Sequence, residues 1–445
     1  MSDQRLKDVG RRRFIVTVGT VGGAMTVGAV LPRAALGQGA PLSVPIGQIV
    51  PFTGSAAEYG NFYRDAAQLA VDQVNAAATE VFGGPIISRL ITEDSNTLPT
   101  PAIDAARKLV EADGVPAVIA EWSSGVTVAV ATSVTIPAGV LQVANGATSP
   151  LISVLPEDAE AGLLFRTSPS DALQGVVAAQ LAAGELIDGY KFSKASTIYI
   201  NNPYGQGLSN AFAAAFKARG GTVLAEVAHP EEVQPTFRSQ LQAALQGEPD
   251  LLFLPSYPAH TAAIVKESRD IFGYTSWQFT DGNRSSEVLS AVGGADLAGK
   301  LGTVPSADPE SASYKSFAAA YTETFGHDRI PPFTETTYDA AMVIALALAK
   351  AVADGASEVS GRVLADNLRP VANPPGTEVV GGSQEAVTEA LRLLKDGQDI
   401  AYVGAGGTVD FDDNGDVKTP IAIWRYTENG DETVQIVPAE EIPSA

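Results

Sequence analysis

The sequence predicts an α/β protein of two domains, each a parallel sheet covered by helices. At 445 residues the chain exceeds one ordinary domain, and at roughly 150 residues per domain it divides into two or three. Short apolar, β-rich runs alternate with segments whose apolar residues recur at helical spacing, which is the pattern of parallel strands joined by crossover helices. One such series ends near Phe165-Arg166-Thr167-Ser168-Pro169, and a second of similar length begins there.

The run 46–50 is the first strand, and the following segment carries Phe62, Ala66, Leu69, Ala70 and Val74 on one helical face. Further strands are predicted at 89–92, 117–120, 140–143, 197–200, 222–227, 251–254 and 277–280, with helical segments between most of them. Several are continuous apolar runs, as strands buried on both faces should be.

The amino terminus reads as an address. Arg11-Arg12-Arg13-Phe14-Ile15 fits a twin-arginine export pattern, followed by an apolar, Gly-rich stretch over 14–31 and small residues at Ala35-Leu36-Gly37. A single membrane anchor is the competing reading, but Gly and Thr dilute the stretch and it ends in Pro-Arg before a small-residue site. Residues 1–37 are therefore expected to be a cleaved signal. There is no cysteine, which excludes disulfides, thiol catalysis and a lipid-modified cysteine at the cleavage site. A soluble protein outside the cytoplasmic membrane is expected, most simply periplasmic. Losing residues 1–37 removes six Lys/Arg and two Asp/Glu, so the net charge moves from -22 to -26. Such a surface repels nucleic acid and anionic lipid.

In open parallel sheets, ligands bind beyond the carboxyl ends of the strands. The residues there are polar and aromatic: Pro51-Phe52-Thr53-Gly54 with Glu58-Tyr59-Gly60, then Glu121-Trp122-Ser123-Ser124-Gly125, then Asn145-Gly146-Ala147-Thr148-Ser149-Pro150. The second domain contributes Tyr204-Gly205, Ser256-Tyr257 and Asp281-Gly282. Ser124 and Thr148, in loops that can open helices, suit capture of a carboxylate. Helix capping is the plain alternative.

These loops resemble the leucine/isoleucine/valine-binding branch of the periplasmic solute receptors that serve ABC importers. The marks, in order, are Ile46-Gly47 to Gly54, Leu69-Ala70-Val71-Asp72-Gln73-Val74-Asn75-Ala76, Glu93-Asp94, Ala105 to Val110, Gly146 to Pro150 and Phe165 to Asp171. They continue with Tyr204-Gly205-Gln206-Gly207-Leu208, Pro249-Asp250 to Tyr257, Thr337-Tyr338-Asp339-Ala340 and Val409 to Gly415. The resemblance covers nearly the whole mature chain. It implies two discontinuous Rossmann-like lobes, 42–167 with 305–405 and 168–304 with 406–445. They would be joined by a hinge crossed near Thr167, Thr303 and Ala405, with the ligand in the cleft between. It implies carboxylate binding by Ser124 and Thr148 with Ser123, Gly146 and Ala147 beside them, and an aromatic wall of Tyr59, Trp122, Tyr204, Tyr257 and Phe333. The ammonium-binding acid falls by ungapped match on Asn283, with Asp281 the nearest carboxylate, then Glu121 and Glu335. The implied partners are a small-molecule ligand, an amino acid or related amide or carboxylate, and an ABC permease in the membrane. Enzyme activity and nucleic-acid binding are not implied. A ligand sensor built on the same fold is the alternative.

Asp410, Asp412, Asn414 and Gly415 imitate half of a calcium loop, but Ile421 stands where the final acid is required, so a β-hairpin turn at Asn414-Gly415 is expected instead. Gly404, Gly406 and Gly407 form no dinucleotide fingerprint. His229, His260 and His327 lack metal spacing, and none lies in the cleft loops above. No metal, organic cofactor or catalytic triad is expected.

Overall fold

The computed structural model describes residues 41–443, so the expected export signal over 1–37 lies outside the described residues. β1 (Val44–Val50), β2 (Ile87–Asp94), β3 (Ala117–Ile119), β4 (Leu141–Ala144) and β5 (Leu164–Arg166) form one sheet in the order β2-β1-β3-β4-β5, parallel throughout. β3, β4 and β5 are buried at every position because both faces are covered. Ala117 and Ile119 join one apolar core with the helices Gly60–Phe82 and Thr334–Ala353, while Val118 joins another under the helix Pro99–Arg107. The period-2 alternation of strand side chains makes this possible. The helix Thr334–Ala353 is long and apolar enough to cross a membrane, yet most of it is buried in the first of these cores. It is a core helix.

The second sheet holds β6 (Lys194–Ile200), β7 (Thr222–His229), β8 (Leu251–Phe253) and β9 (Trp277–Gln278), parallel in the order β7-β6-β8-β9. All eight strands predicted from the apolar runs are present, with shifted ends. Seven strands were not foreseen, β5 and the six that follow β9. β10 (Leu301–Pro305) follows β9 through a parallel bridge from Phe279 to Gly302. β11 (Thr377–Val380), β12 (Ile400–Gly404) and β13 (Gly407–Thr408) form a small sheet, and β14 (Ile421–Tyr426) and β15 (Asp431–Val437) complete an antiparallel sheet β10-β14-β15. Val304, Ala422 and Trp424 share a core with Ile198, Leu252 and Trp277, whereas Phe317, Tyr338 and Tyr402 pack with the first sheet. The chain thus visits each core twice. Val409, Phe411 and Val417 also pack with the first core, so the segment 406–417, expected with the second lobe, stands with the first.

A buried ion pair secures that segment. Arg166, fully buried at the end of β5, gives Nε and Nη2 to the two carboxylate oxygens of Asp416 at 2.7 Å each. Its Nη1 donates to the carbonyls of Ala147 at 3.2 Å and Ser149 at 2.9 Å. The turn at Asn414-Gly415 exists, but no hairpin flanks it, which corrects the expectation. Asp412 Oδ1 takes the N–H groups of Asn414 and Asp416, and the carbonyl of Gly415 accepts from Arg166 N. The loop therefore bonds to itself and to β5 rather than to a partner strand.

Removing one member of a buried pair strands the other's charge. Asp416→Ala is expected to lower the unfolding free energy by about 3–5 kcal/mol, read from the shift in a urea titration.

Candidate functional site

All eleven residues expected at the cleft are buried, and the structure brings them into one contact network. Ser124 opens the apolar helical stretch Ser124–Ala138, and its Oγ accepts from Ser149 N at 3.1 Å. Ser123 precedes it, and its Oγ accepts from Tyr257 Oη at 2.9 Å, a bond between the ends of two different sheets. Thr148 does not open an α-helix, since only the short turn Ile152–Val154 follows it. Its Oγ1 donates to Asp171 Oδ2 at 2.9 Å, and its carbonyl accepts from Asp171 N at 2.7 Å. Neither hydroxyl caps a helix here. Both tie strand-end loops together.

The aromatic residues form a continuous wall. Trp122 lies 5.3 Å from Tyr59 and 4.7 Å from Tyr257, ring centre to ring centre, and Tyr257 stacks on Tyr204 at 5.5 Å. Gly146 is required beside it, because a Cβ there would stand 2.5 Å from Trp122 Cδ1 and 3.2 Å from Phe333 Cγ. Phe333 occupies the left-handed region at φ 68°, a conformation that costs a non-glycine residue on the order of 1 kcal/mol. Ala147 contributes its carbonyl to Arg166, which sets the loop's path.

The acids separate into different roles. Asn283, the ungapped match for the ammonium site, is consumed locally: its Oδ1 accepts from Thr280 N at 2.6 Å and its Nδ2 donates to Leu254 O at 2.6 Å. Glu121 is also committed, accepting from Ser95 Oγ at 2.6 Å and Ser123 N at 2.7 Å. Burial nonetheless pushes its carboxyl up to about 7. Glu335 lines a separate cavity of about 400 Å³ with Arg284, Tyr314, Arg329 and Pro332, away from the hydroxyls. Asp281 is different. It faces the network, accepting from Gln174 Nε2 at 2.7 Å and Tyr204 Oη at 2.9 Å, and burial raises it to about 6.

Asp171 and Gln174 were missed by the sequence reading. Asp171 opens the helix Asp171–Ala183, and burial together with the Asp281 charge pushes it well above the usual carboxylate range. Asp171 Oδ1 and Gln174 Oε1 are buried acceptors without a hydrogen-bond donor among the described residues. Asp171 lies within the segment Phe165 to Asp171 but five residues beyond the end of β5, so only the fold brings it beside the strand-end loops.

Two of the three histidines, distant in sequence, meet in space. His229 and His260 lie 4.8 Å apart, and His229 Nε2 is 2.8 Å from Ser256 Oγ while its Nδ1 faces Pro230 O at 2.9 Å. Burial depresses them to about 3 and about 4. Both are therefore neutral polar supports behind Tyr257, and Ser256 is fully buried.

The profile of the periplasmic binding protein family matches residues 43–431. The chain belongs to that family. Among relatives of this periplasmic binding protein, the Leu/Ile/Val-binding protein BraC3 of Rhizobium johnstonii is 28% identical over 369 residues, spanning 80% of this chain and 93% of the relative. A leucine-binding protein of Thermotoga maritima superposes with a TM-score of 0.71 at 23% identity, covering 89% of this chain and 99% of that one. A solute-binding protein of an ABC transporter from R. palustris, in complex with benzoate, gives 0.68 at 16% identity, covering 91% and 99%. These likenesses confirm the α/β fold with its parallel sheets. The family consists of extracytoplasmic solute-binding proteins rather than enzymes.

The periplasmic binding protein holds Asp281 with a carboxyl raised above its unfolded value, so that group's stabilising share is complete below the unfolded pKa and lost as pH rises through about 6. Unliganded protein is expected to be less stable to urea at pH 8 than at pH 5. Asp281→Asn should recover on the order of 2–3 kcal/mol at pH 8 and flatten that part of the profile.

Proposed function

We propose that this protein is the soluble periplasmic receptor of an ABC importer, exported through the twin-arginine signal of residues 1–37, and that it captures an amino acid, of branched-chain type, by hinge closure of its two lobes. It delivers the solute to a membrane permease and carries no lipid anchor. The reading rests on one observation: two buried carboxylates, Asp171 and Asp281, stand together without an ion pair among the described residues, and Asp171 Oδ1 and Gln174 Oε1 await donors. An ammonium group supplies three donors and a positive charge, meeting both needs at once. The hydroxyls of Ser124 and Thr148, with the neighbouring backbone, serve the carboxylate end. The aromatic wall of Tyr59, Trp122, Tyr204, Tyr257 and Phe333 surrounds the side chain. Leucine, isoleucine or valine fits the relative that spans most of the chain.

The aromatic wall also supports a second reading, an aromatic carboxylate receptor, in line with the benzoate-bound neighbour. The carboxylate pair argues against it, because a ligand with only negative charge brings no donor to Asp171 Oδ1 or Gln174 Oε1 and sets a like charge beside two acids.

Calorimetry separates the two. L-Leucine is expected to bind well, and 4-methylpentanoate, its deaminated counterpart, far more weakly. Asp281→Asn should cost leucine several kcal/mol, the range for a stranded buried charge, and leave the acid almost unaffected. Thr148→Ala and Ser124→Ala should each cost about 1.5–3 kcal/mol for either compound. Equal affinity of wild type for both compounds overturns the amino-acid reading.

A pH series checks the same site from its proton balance. Ammonium binding favours the ionised pair, so leucine affinity should rise from pH 5 to pH 8, with proton release visible as a dependence of the binding heat on buffer ionisation enthalpy. An affinity independent of pH would remove Asp171 and Asp281 from the site.

A further inference from the structure

The geometry points to Glu58 as the latch of this receptor, a buried carboxylate that holds the two halves closed whether or not solute is bound. The inference rests on the two-lobe closing reading above, but not on the identity of the solute. Glu58 lies between β1 and the helix Gly60–Phe82, on the half built around the first sheet. Its carboxylate reaches residues 285–287, which follow β9 on the other half. Oε1 accepts from Ser286 N at 2.9 Å and Ser286 Oγ at 2.5 Å, while Oε2 accepts from Ser285 Oγ and from Glu287 N at 3.3 Å.

Its own half keeps the carboxylate charged and aimed. Arg329 pairs with Oε1, and the Arg329 guanidinium lies 5.2 Å from the Phe62 ring centre. Only 9% of the Glu58 side chain is exposed. Burial opposes the charge, yet the hydroxyl donors of Ser285 and Ser286 and the Arg329 charge leave its pKa below the usual value. On the far side Ser285 Oγ also accepts from Glu287 N and Val288 N, so the latch engages a helix start that is already ordered.

Other bonds between the facing loops of the halves join neutral groups, such as Tyr257 Oη to Ser123 Oγ at 2.9 Å, Ser149 Oγ to Pro203 O at 2.8 Å and Tyr59 Oη to Arg284 O at 3.3 Å, while Asp171 meets Thr148 beside the crossing near Thr167. Glu58 gathers four bonds across the gap on one charged group. Hydrogen bonds to an ionised acceptor are about twice as strong as neutral ones. Its position also separates it from solute chemistry, since it touches neither the hydroxyls nor the Asp171–Asp281 pair. It therefore acts on the closed state as a whole. In rates, this means slower release of solute with little change in capture.

The chain has no cysteine, so two labels placed by Thr79→Cys and Gln242→Cys, both at exposed positions on opposite halves, report the distance between halves by single-molecule fluorescence transfer. Unliganded wild type is expected to show a closed population, and Glu58→Gln to reduce it by about tenfold. Ser286→Ala, which removes one donor and leaves the carboxylate in place, should fall between. With L-leucine as probe, stopped-flow dissociation should be about tenfold faster in Glu58→Gln, with the association rate within about threefold of wild type. Circular dichroism at matched melting temperature verifies that the variants fold. The same distance distribution in wild type and Glu58→Gln, including the case in which neither closes without solute, overturns the proposal. Failure of leucine to bind at all would count against the amino-acid reading and leave the unliganded distance measurement, and hence the latch, to be judged separately.

Discussion

The pairing of Arg166 with Asp416 is the constraint on which the site depends. Arg166 ends β5, where the chain first leaves the first core, and Asp416 lies where the chain prepares to leave it for the last time. One guanidinium ties both departures to the carbonyls of Ala147 and Ser149, so the loop that carries Gly146 and Thr148 is positioned by the same group that fixes the connections. A bidentate pair suits this task because its planar fork fixes direction as well as distance. A buried pair of this kind contributes little net stability against an apolar replacement. Its value lies in specifying one arrangement of three chain segments.

The site itself is built against stability. Asp171 and Asp281 share a buried region in which like charges repel and two acceptors lack donors. Local stability would favour an amide at either position. On the proposed amino-acid reading, retaining two acids stores unfavourable free energy that the ligand's ammonium group relieves, so affinity draws on a defect of the unliganded protein. The committed acids show the contrast. Glu121 and Asp339 both have their carboxylate oxygens occupied by nearby donors, Asp339 by Ala405 N and Gly406 N at 2.7 Å each. They organise loops and offer nothing to a ligand.

The parallel sheets were legible because buried strands write themselves as apolar runs between helical repeats, and every predicted strand from 46–50 to 277–280 is found. β5 and β10 to β15 were not, for physical reasons. β15 exposes most of its length, β13 has two residues, and β14 makes sense only once β10 and β15 flank it. Periodicity cannot report pairing between strands more than a hundred residues apart. Around the candidate site, Trp122, Ser123, Ser124, Thr148, Tyr204 and Tyr257 stand within a few residues of strand ends, where a sequence of parallel strands draws attention to them. Asp171 was hidden by the turn before its helix, and Glu58 by a role that exists only where two distant segments meet. Asn283 shows the opposite failure, in which an alignment position pointed to a side chain whose polar atoms the local turn had already taken. The turn at Asn414-Gly415 was recognised as a turn but given the wrong partner, because a sequence pattern cannot show that Asp416 answers Arg166.

The wall around the site has two kinds of foundation. Phe333 sits at the start of the helix Thr334–Ala353, whose side chains fill the first core, and its left-handed backbone is held by that anchorage. Trp122, Tyr204 and Tyr257 stand instead just beyond strand ends, Tyr204 in the first turn of the helix Pro203–Ala218, and none of them needs a left-handed backbone. On the proposed reading, descent with changing diet would rewrite these three aromatics first and leave Phe333 in place. On the proposed reading, Phe333 marks ancestry within such a lineage, and the three aromatics beyond the strand ends mark the solute.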